Sequence, residues 1–452
     1  MSSAAESITA SSATTSPNSA LGRLAMRGLG WAGLAQVANL AIRLASNLLL
    51  TRLLAPEHYS VFGAALAVMT TLEWLSDLGI TPSLVRHPKG DRPEFLLTGW
   101  WIGLGRGGLL AAVGVAAAWP LAWVYGRPAL GPVLAALALR SVLTALRSPA
   151  TPLLRRRLNY RGLFWDETIQ TVVGVAVSVA IAWRTGSIWA IVCGALASAI
   201  AGILVTYRLC PMRPVWTIDS EAAAELRTLG SQVFLNTLAM SLVLNLDRLL
   251  GGGWIGDREM GLYVVAWSLA ASAEGLVVRA CDVYYSMLAR KRIESAGAEA
   301  GETEDWERVH RRTLSQAARV GVPLLALGIG PAPWAIWLLY DPRYWDAGVP
   351  FAILASRLLI RAYSQLQFQG LLANAQVSIA TRAYMFALAV QGATLIPLVR
   401  GFGADGLALA TWISAAVFAA AQAWMTPSSD RSSAIAAIGW AALGLAPVFL
   451  WR

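Results

Sequence analysis

Gln36-Val-Ala-Asn39-Leu-Ala-Ile-Arg43-Leu-Ala-Ser46-Asn47-Leu-Leu-Leu-Thr-Arg52-Leu53-Leu54 is the stretch on which the fold turns. It is apolar enough to enter a bilayer, yet Gln36, Asn39, Arg43, Ser46 and Asn47 follow one another at helical steps and share one face. The pattern returns later in the chain. Gln232-Val233 precedes Arg248-Leu249-Leu250 at the same spacing, with Asn236, Ser241, Asn245 and Asp247 between them. Phe62 then precedes Glu73 as Tyr263 precedes Glu274, and the region from Tyr125 to Arg140 resembles that from Tyr340 to Arg357. Their shared order means that the chain is built twice. Each half holds six apolar segments. Six is even, so both halves enter the membrane from the same side. That is a parallel repeat about an axis along the membrane normal, an architecture of secondary transporters.

The composition agrees. Of 452 residues, 56% are hydrophobic and 14% charged, and the mean hydropathy is +0.55. A soluble chain carries roughly 25% charged residues, so lipid must be the solvent for most of this one. A soluble enzyme, a disordered protein and a disulfide-stapled secreted domain are excluded. Apolar segments long enough to span a bilayer, about 18–25 residues each, fall at 28–50, 59–81, 96–118, 129–149, 165–183, 187–209, 228–250, 260–287, 313–339, 348–372, 379–399 and 404–425. A shorter thirteenth lies at 434–451 and contains Pro447. The fold class is therefore an all-α integral membrane protein of 12–13 transmembrane helices in two six-helix lobes. The lobes are expected at 23–218 and 219–427, after a Ser/Ala/Thr-rich tail at 1–22 and before an additional C-terminal helix at 428–452.

Arg and Lys concentrate in alternate connections, for example Arg86, Lys89 and Arg92, then Arg155, Arg156, Arg157 and Arg161, then Arg290, Lys291 and Arg292. The positive-inside rule places these, and the N-terminus, in the cytoplasm. Trp119, Trp123, Trp183, Trp189, Trp254, Trp334 and Trp337 mark the opposite face as an aromatic belt. The net charge of +10 is thus a topology signal first. Nucleic acid is a poor partner, because the basic runs are split among short loops.

No catalytic motif appears. Cys193, Cys210 and Cys281 lack ligand spacing, and His58, His87 and His310 form no metal cluster. Gly28-Gly30-Gly33 and Gly103-Gly105-Gly108 match GxGxxG without a preceding strand. Gly99, Gly103 and Gly107 read instead as a small-residue face for close helix packing. The absence of GxxxxGKS argues against ATP-driven transport by this chain.

The chemistry lies in ionisable residues within spans, which cost roughly 2.5–3.5 kcal/mol each on insertion scales and face a cavity or a partner. Arg43, Arg140, Arg279 and Arg361 are expected to line a polar cavity, and several guanidinium groups together suit an anion such as phosphate. Glu73, Asp77, Asp247, Glu274 and Asp282 could balance those charges or bind a coupling proton or Na⁺. Gln36 and Asn39 complete the polar face of the first helix. No cofactor is expected.

The stretch Asn47-Leu-Leu-Leu-Thr-Arg-Leu-Leu-Ala-Pro-Glu-His-Tyr59, with Ser76-Asp77-Leu78-Gly79 and Arg86-His87 after it, resembles the Wzx-type polysaccharide-biosynthesis flippases of the MOP superfamily. Asn245-Leu-Asp-Arg248, Gly256 and Gly261-Leu-Tyr263 carry the resemblance into the second half. It covers about residues 22–425, and departs at Ser60, where the family commonly has Gly. The resemblance implies a MATE-like pair of lobes facing each other in a V around a central cavity. It also implies an oligosaccharide joined by pyrophosphate to a polyprenyl lipid as substrate. The implied location is the bacterial inner membrane, and the neighbours are membrane lipids, a polysaccharide polymerase and a chain-length regulator. The family motif supplies no catalytic group. The leading expectation is a flippase serving O-antigen, capsule or exopolysaccharide synthesis. A cation-coupled MATE-like drug exporter is the alternative, but would favour acidic groups over deep arginines. A membrane glycosyltransferase or O-antigen ligase would need a substantial periplasmic loop, and every such connection here is short.

Overall fold

The computed structural model describes residues 38–76, 84, 90–157, 159–295, 303–321, 332–373, 376–426 and 431–445. The expected tail 1–22, Gln36 and Asp77 lie outside these residues, as do the side chains of Arg279 and Asp282. Every described element is helical. The first half comprises α1 (38–53), α2 (Pro56–Leu75), α3 (Pro93–Val124), α4 (Leu130–Ala145), the short α5 (Pro152–Arg156), α6 (Tyr160–Thr185) and α7 (Trp189–Leu209). The second comprises α8 (Ser220–Gly251), α9 (Asp257–Ser295), α10 (Thr303–Gln316), α11 (Ala332–Leu339), α12 (Gly348–Ala373) and α13 (Val377–Met425), followed by α14 (Arg431–Leu443). A π turn, Ala317–Gly321, ends α10, and a 3-10 turn, Pro342–Ala347, leads into α12.

Local sequence sets the ends. Pro56 opens α2, where its missing N–H costs nothing, and the Ala55 N–H donates to the His58 ring. The Asn159 side chain caps α6 by accepting from the Gly162 N–H at 3.0 Å, and Gly186 ends the helix in the left-handed region at φ 57°. Within α13, Gly403 stands at φ 55° and ψ −128°, so two expected spans are joined through one non-helical glycine.

By length and composition, α3, residues 161–185 of α6, α7 and residues 378–425 of α13 can cross a membrane. Differences from the sequence reading have local causes. The helices α8 and α9 extend beyond the expected spans, to Ser220 and Ser295, because Glu, Ala, Arg and Lys there favour helix although they are too polar for lipid. The α4 helix stops at Ala145 rather than 149, since the backbone before Pro149 is steered away from helix. The segment expected as one span at 313–339 carries helix before it, from Thr303, and turns through the π segment after Gln316. Of the glycine face on α3, Gly107 meets Ala145 and Ser141 of α4, but nothing lies within 4 Å of a Cβ on Gly103.

Within the first half α3 packs on α4 and α6 on α7; within the second α12 packs on α9 and α13. The halves meet where α2 packs against α8 and α9. One core cluster there draws on both: Leu50, Leu54 and Tyr59 with Met260, Tyr263, Tyr344 and Leu407. The α14 helix seats Ala434, Ala437 and Ala441 against α12 and α13. Residues 446–451 of the expected last span lie outside the described residues.

Candidate functional site

The junction between the halves is tight at one end, the end that carries the α1–α2 and α8–α9 turns. A Cβ on Gly261 would lie 1.8 Å from the Pro56 carbonyl oxygen, and one on Gly63 would lie 2.4 Å from Val264 Cγ2. Only glycine permits such an approach. Polar contacts fasten the same end in matched pairs. Tyr125 donates its hydroxyl to the Leu249 carbonyl, and Tyr344 donates to the Leu54 carbonyl at 2.8 Å. Arg127 pairs with Asp257, which also accepts from Ser60 Oγ at 3.2 Å. Arg343 donates to the Arg52 carbonyl at 3.0 Å and to Asp341 at 2.9 Å. Its hydrogen bonds hold the Asp341 carboxyl below the usual aspartate range. All seven tryptophans expected in the aromatic belt are exposed.

Away from that end the junction loosens. Nearly all of α2 from Tyr59 to Met69 is buried, whereas Thr70, Thr71, Leu72 and Glu73 are half-buried. The same change occurs on α9, where Met260–Ala266 are buried and Ala271–Gly275 half-buried. Thr70 Oγ1 donates to Asn245 at 3.2 Å and Asn47 Nδ2 to Ser268 Oγ at 3.2 Å, near this boundary.

Arg43 faces the loosened region. It occupies the helical face of Asn39, Ser46 and Leu50, all buried, but is itself exposed. Glu73 and Arg140 lie 4.0 Å apart with 30% and 41% of their side chains accessible. Ser141 Oγ donates to Glu73 at 3.3 Å. Arg106 of α3, passed over in the sequence among its neighbouring glycines, donates to Ser76 Oγ at 2.9 Å and to the Glu73 carbonyl. It thereby satisfies an open carbonyl at the end of α2.

The surroundings of Glu274 are more enclosed. Glu274 accepts from Arg357 at 3.1 Å and Arg361 at 2.8 Å, and the three side chains are 16%, 6% and 9% accessible. Arg361, expected to face a cavity, is thus buried and engaged by a carboxylate. Nearby, Asp247 accepts from the Tyr263 hydroxyl and lies 4.0 Å from Arg248. The Arg248 guanidinium sits 3.5 Å over the Trp267 ring and donates to Asn245. Asn39 Oδ1 and Asp247 Oδ1 are buried with no hydrogen-bond partner among the described residues. Arg147 pairs with Asp166. Among the described residues no group of three or more His, Cys, Asp and Glu could hold a metal ion.

Among the described residues, four helices are long and apolar enough to cross a membrane, and the junction between the halves is closed at one end. The chain belongs to the polysaccharide biosynthesis protein family, whose family model matches residues 49–349. It is 20% identical over 317 residues to the succinoglycan biosynthesis transport protein ExoT of Rhizobium meliloti (strain 1021), covering 70% of this chain and 61% of that relative. Its fold is similar to those of solved membrane transporters, one of them described as of the MOP superfamily. The lipid II flippase MurJ in an inward closed conformation superposes with a TM-score of 0.68 at 11% identity, over 94% of this chain and 93% of that one. A multidrug resistance MATE family transporter in an inward-facing conformation gives 0.63 at 13% identity, over 91% and 96%.

Proposed function

We propose that this protein is a flippase that carries a polyprenyl-pyrophosphate-linked oligosaccharide from the cytoplasmic to the periplasmic leaflet of a bacterial inner membrane, for a cell-surface polysaccharide such as O-antigen, capsule or exopolysaccharide. The observation that carries this reading is Arg43, exposed on an inward helical face, with Arg140 also accessible. A guanidinium stays charged at any physiological pH and can grip a phosphate through two parallel hydrogen bonds. The family supports polysaccharide export, and the relative's name, a succinoglycan biosynthesis transport protein, points the same way.

In this reading the N-terminus is cytoplasmic, and the closed end with its tyrosine and arginine contacts is periplasmic. The lobes are residues 23–218 and 219–427, and residues 428–452 add a helix outside the repeat. Arg43 and Arg140, with Arg279, receive the pyrophosphate, and the prenyl chain stays in lipid. Arg361 stabilises the second lobe through Glu274. Rocking of one lobe on the other opens the periplasmic end. An inside-negative potential drives an anion outward by about 2.3 kcal/mol per charge per 100 mV. Glu73, Asp77, Asp247, Glu274 and Asp282 are the groups on which a proton or Na⁺ would act if coupling occurs. A polymerase and a chain-length regulator would take up the product.

The test is a leaflet assay of the lipid-linked intermediate in a deletion strain. Arg43→Gln and Arg140→Gln should leave the protein in the membrane and the complete intermediate on the cytoplasmic leaflet. Full rescue by both variants would refute the cationic cavity.

A further inference from the structure

Residues 210–219, which join α7 to α8 and so connect the two halves, are pinned along one side. Ser148 Oγ donates to the Cys210 carbonyl, and Met212 packs against Leu84, Phe95 and Leu96. Trp101 Nε1 donates to the Val215 carbonyl at 3.0 Å, and the Asp219 N–H donates to Thr98 Oγ1 at 2.9 Å. The rings of Trp101 and Trp216 meet at 4.4 Å. The connection is therefore held against the first turns of α3, a helix long and apolar enough to cross the bilayer.

Its other side is apolar and uncovered. Val215, Trp216 and Ile218 are 58%, 71% and 54% exposed. Three large apolar side chains within four residues are a poor surface for water. Leu204 and Leu209, exposed on the last turns of α7, lead into them. Arg208 and Arg213 are exposed beside them. Tryptophan with adjacent arginine is the composition of the lipid headgroup boundary, where the ring is partly buried in acyl chains and the cation reaches phosphate.

We propose that residues 208–218 form a lipid-anchoring strap: Val215, Trp216 and Ile218 sit at the acyl boundary, and Arg208 and Arg213 bind the headgroups of anionic lipids. The strap fixes the connection between the halves to α3 and to the bilayer, so motion of the second half begins at Ser220 rather than at the end of α7. The inference rests on the chain being a membrane protein and is independent of its substrate.

The test is nitroxide depth measurement in reconstituted full-length protein. Trp216→Cys and, separately, Ile218→Cys are labelled in a chain whose Cys193, Cys210 and Cys281 are serine. In phosphatidylglycerol/phosphatidylcholine vesicles, both labels should be more accessible to oxygen than to a water-soluble nickel chelate. Replacing phosphatidylglycerol by phosphatidylcholine, or introducing Arg208→Gln with Arg213→Gln, should raise nickel accessibility at least twofold. Labels as accessible to nickel as a free aqueous loop would overturn the proposal and point to a protein partner. A depth indifferent to both lipid charge and the arginines would overturn the anionic-lipid assignment.

Discussion

Tyr344 of the second half donates its hydroxyl to the carbonyl of Leu54 of the first, 2.8 Å away across 290 positions of sequence. Tyr125 answers from the first half to the Leu249 carbonyl. Each bond reaches the last carbonyls of a helix in the opposite half, groups that have no partner within their own helix. Removing one such bond costs about 1 kcal/mol, roughly a fivefold change in the ratio of closed to open forms. Tyr344→Phe should therefore raise the rate at which a cysteine at the buried position Ala266 reacts with a thiol reagent by about that factor. The double variant with Tyr125→Phe should raise it further. Unchanged protection in the double variant would show that apolar packing alone holds this end.

The backbone contact at Gly261 makes a sharper prediction. A Cβ there falls 1.8 Å from Pro56 O, against backbone that cannot swing aside. Gly261→Val should prevent the closed junction from forming and abolish transport, with the protein still inserted. Gly103→Ala, where a Cβ meets nothing within 4 Å, should leave transport near the parent level. Equal transport by the two variants would count against closure as a necessary step.

The two glutamates should behave differently when neutralised. Glu274→Gln strands Arg357 and Arg361, both nearly buried, and breaking a buried pair costs about 3–5 kcal/mol. Glu73→Gln removes a longer, half-accessible contact with Arg140, worth less than about 1 kcal/mol. Thermal unfolding in detergent should show a large drop in Tm for the first and a small one for the second. Similar drops would mean that the halves share the load equally.

His310 supplies a pH dependence. It packs on α12, where a Cβ on Gly370 would lie 2.1 Å from its Nε2, and burial pushes its pKa down to about 4. An unfolded histidine titrates near 6.5, so between these values the unfolded chain binds the extra proton. Stability is fully present above about pH 6.5 and is lost as the pH falls toward 4, by about 2 kcal/mol at pH 5. Hydrogen exchange in α10 should rise between pH 7 and pH 5, and His310→Phe should flatten that rise. A pH profile identical in parent and variant would remove His310 as the cause.

The helices were legible because apolar runs of bilayer length leave few alternatives. The closing contacts were not. Tyr125, Arg127 and Tyr344 stand at loops, and nothing local marks a hydroxyl whose acceptor lies in the other half. Arg106 was missed because its glycine-rich surroundings read as packing. Arg361 shows the limit of depth as a signal. Glu274 stood among the carboxylates expected to balance the arginines, but which arginine it meets, and that Arg361 is buried by the meeting, emerges only from the fold.

The unequal treatment of the paired glutamates bears on how such a protein can diversify. In one half, Glu274 ties down two cations, and any change there releases buried charge. In the other, Glu73 holds Arg140 loosely in an accessible setting. On the proposed function, a new cargo can therefore be met by redrawing the residues around Glu73 and Arg140 one at a time, at little cost to folding, while substitutions at Glu274 are penalised at once.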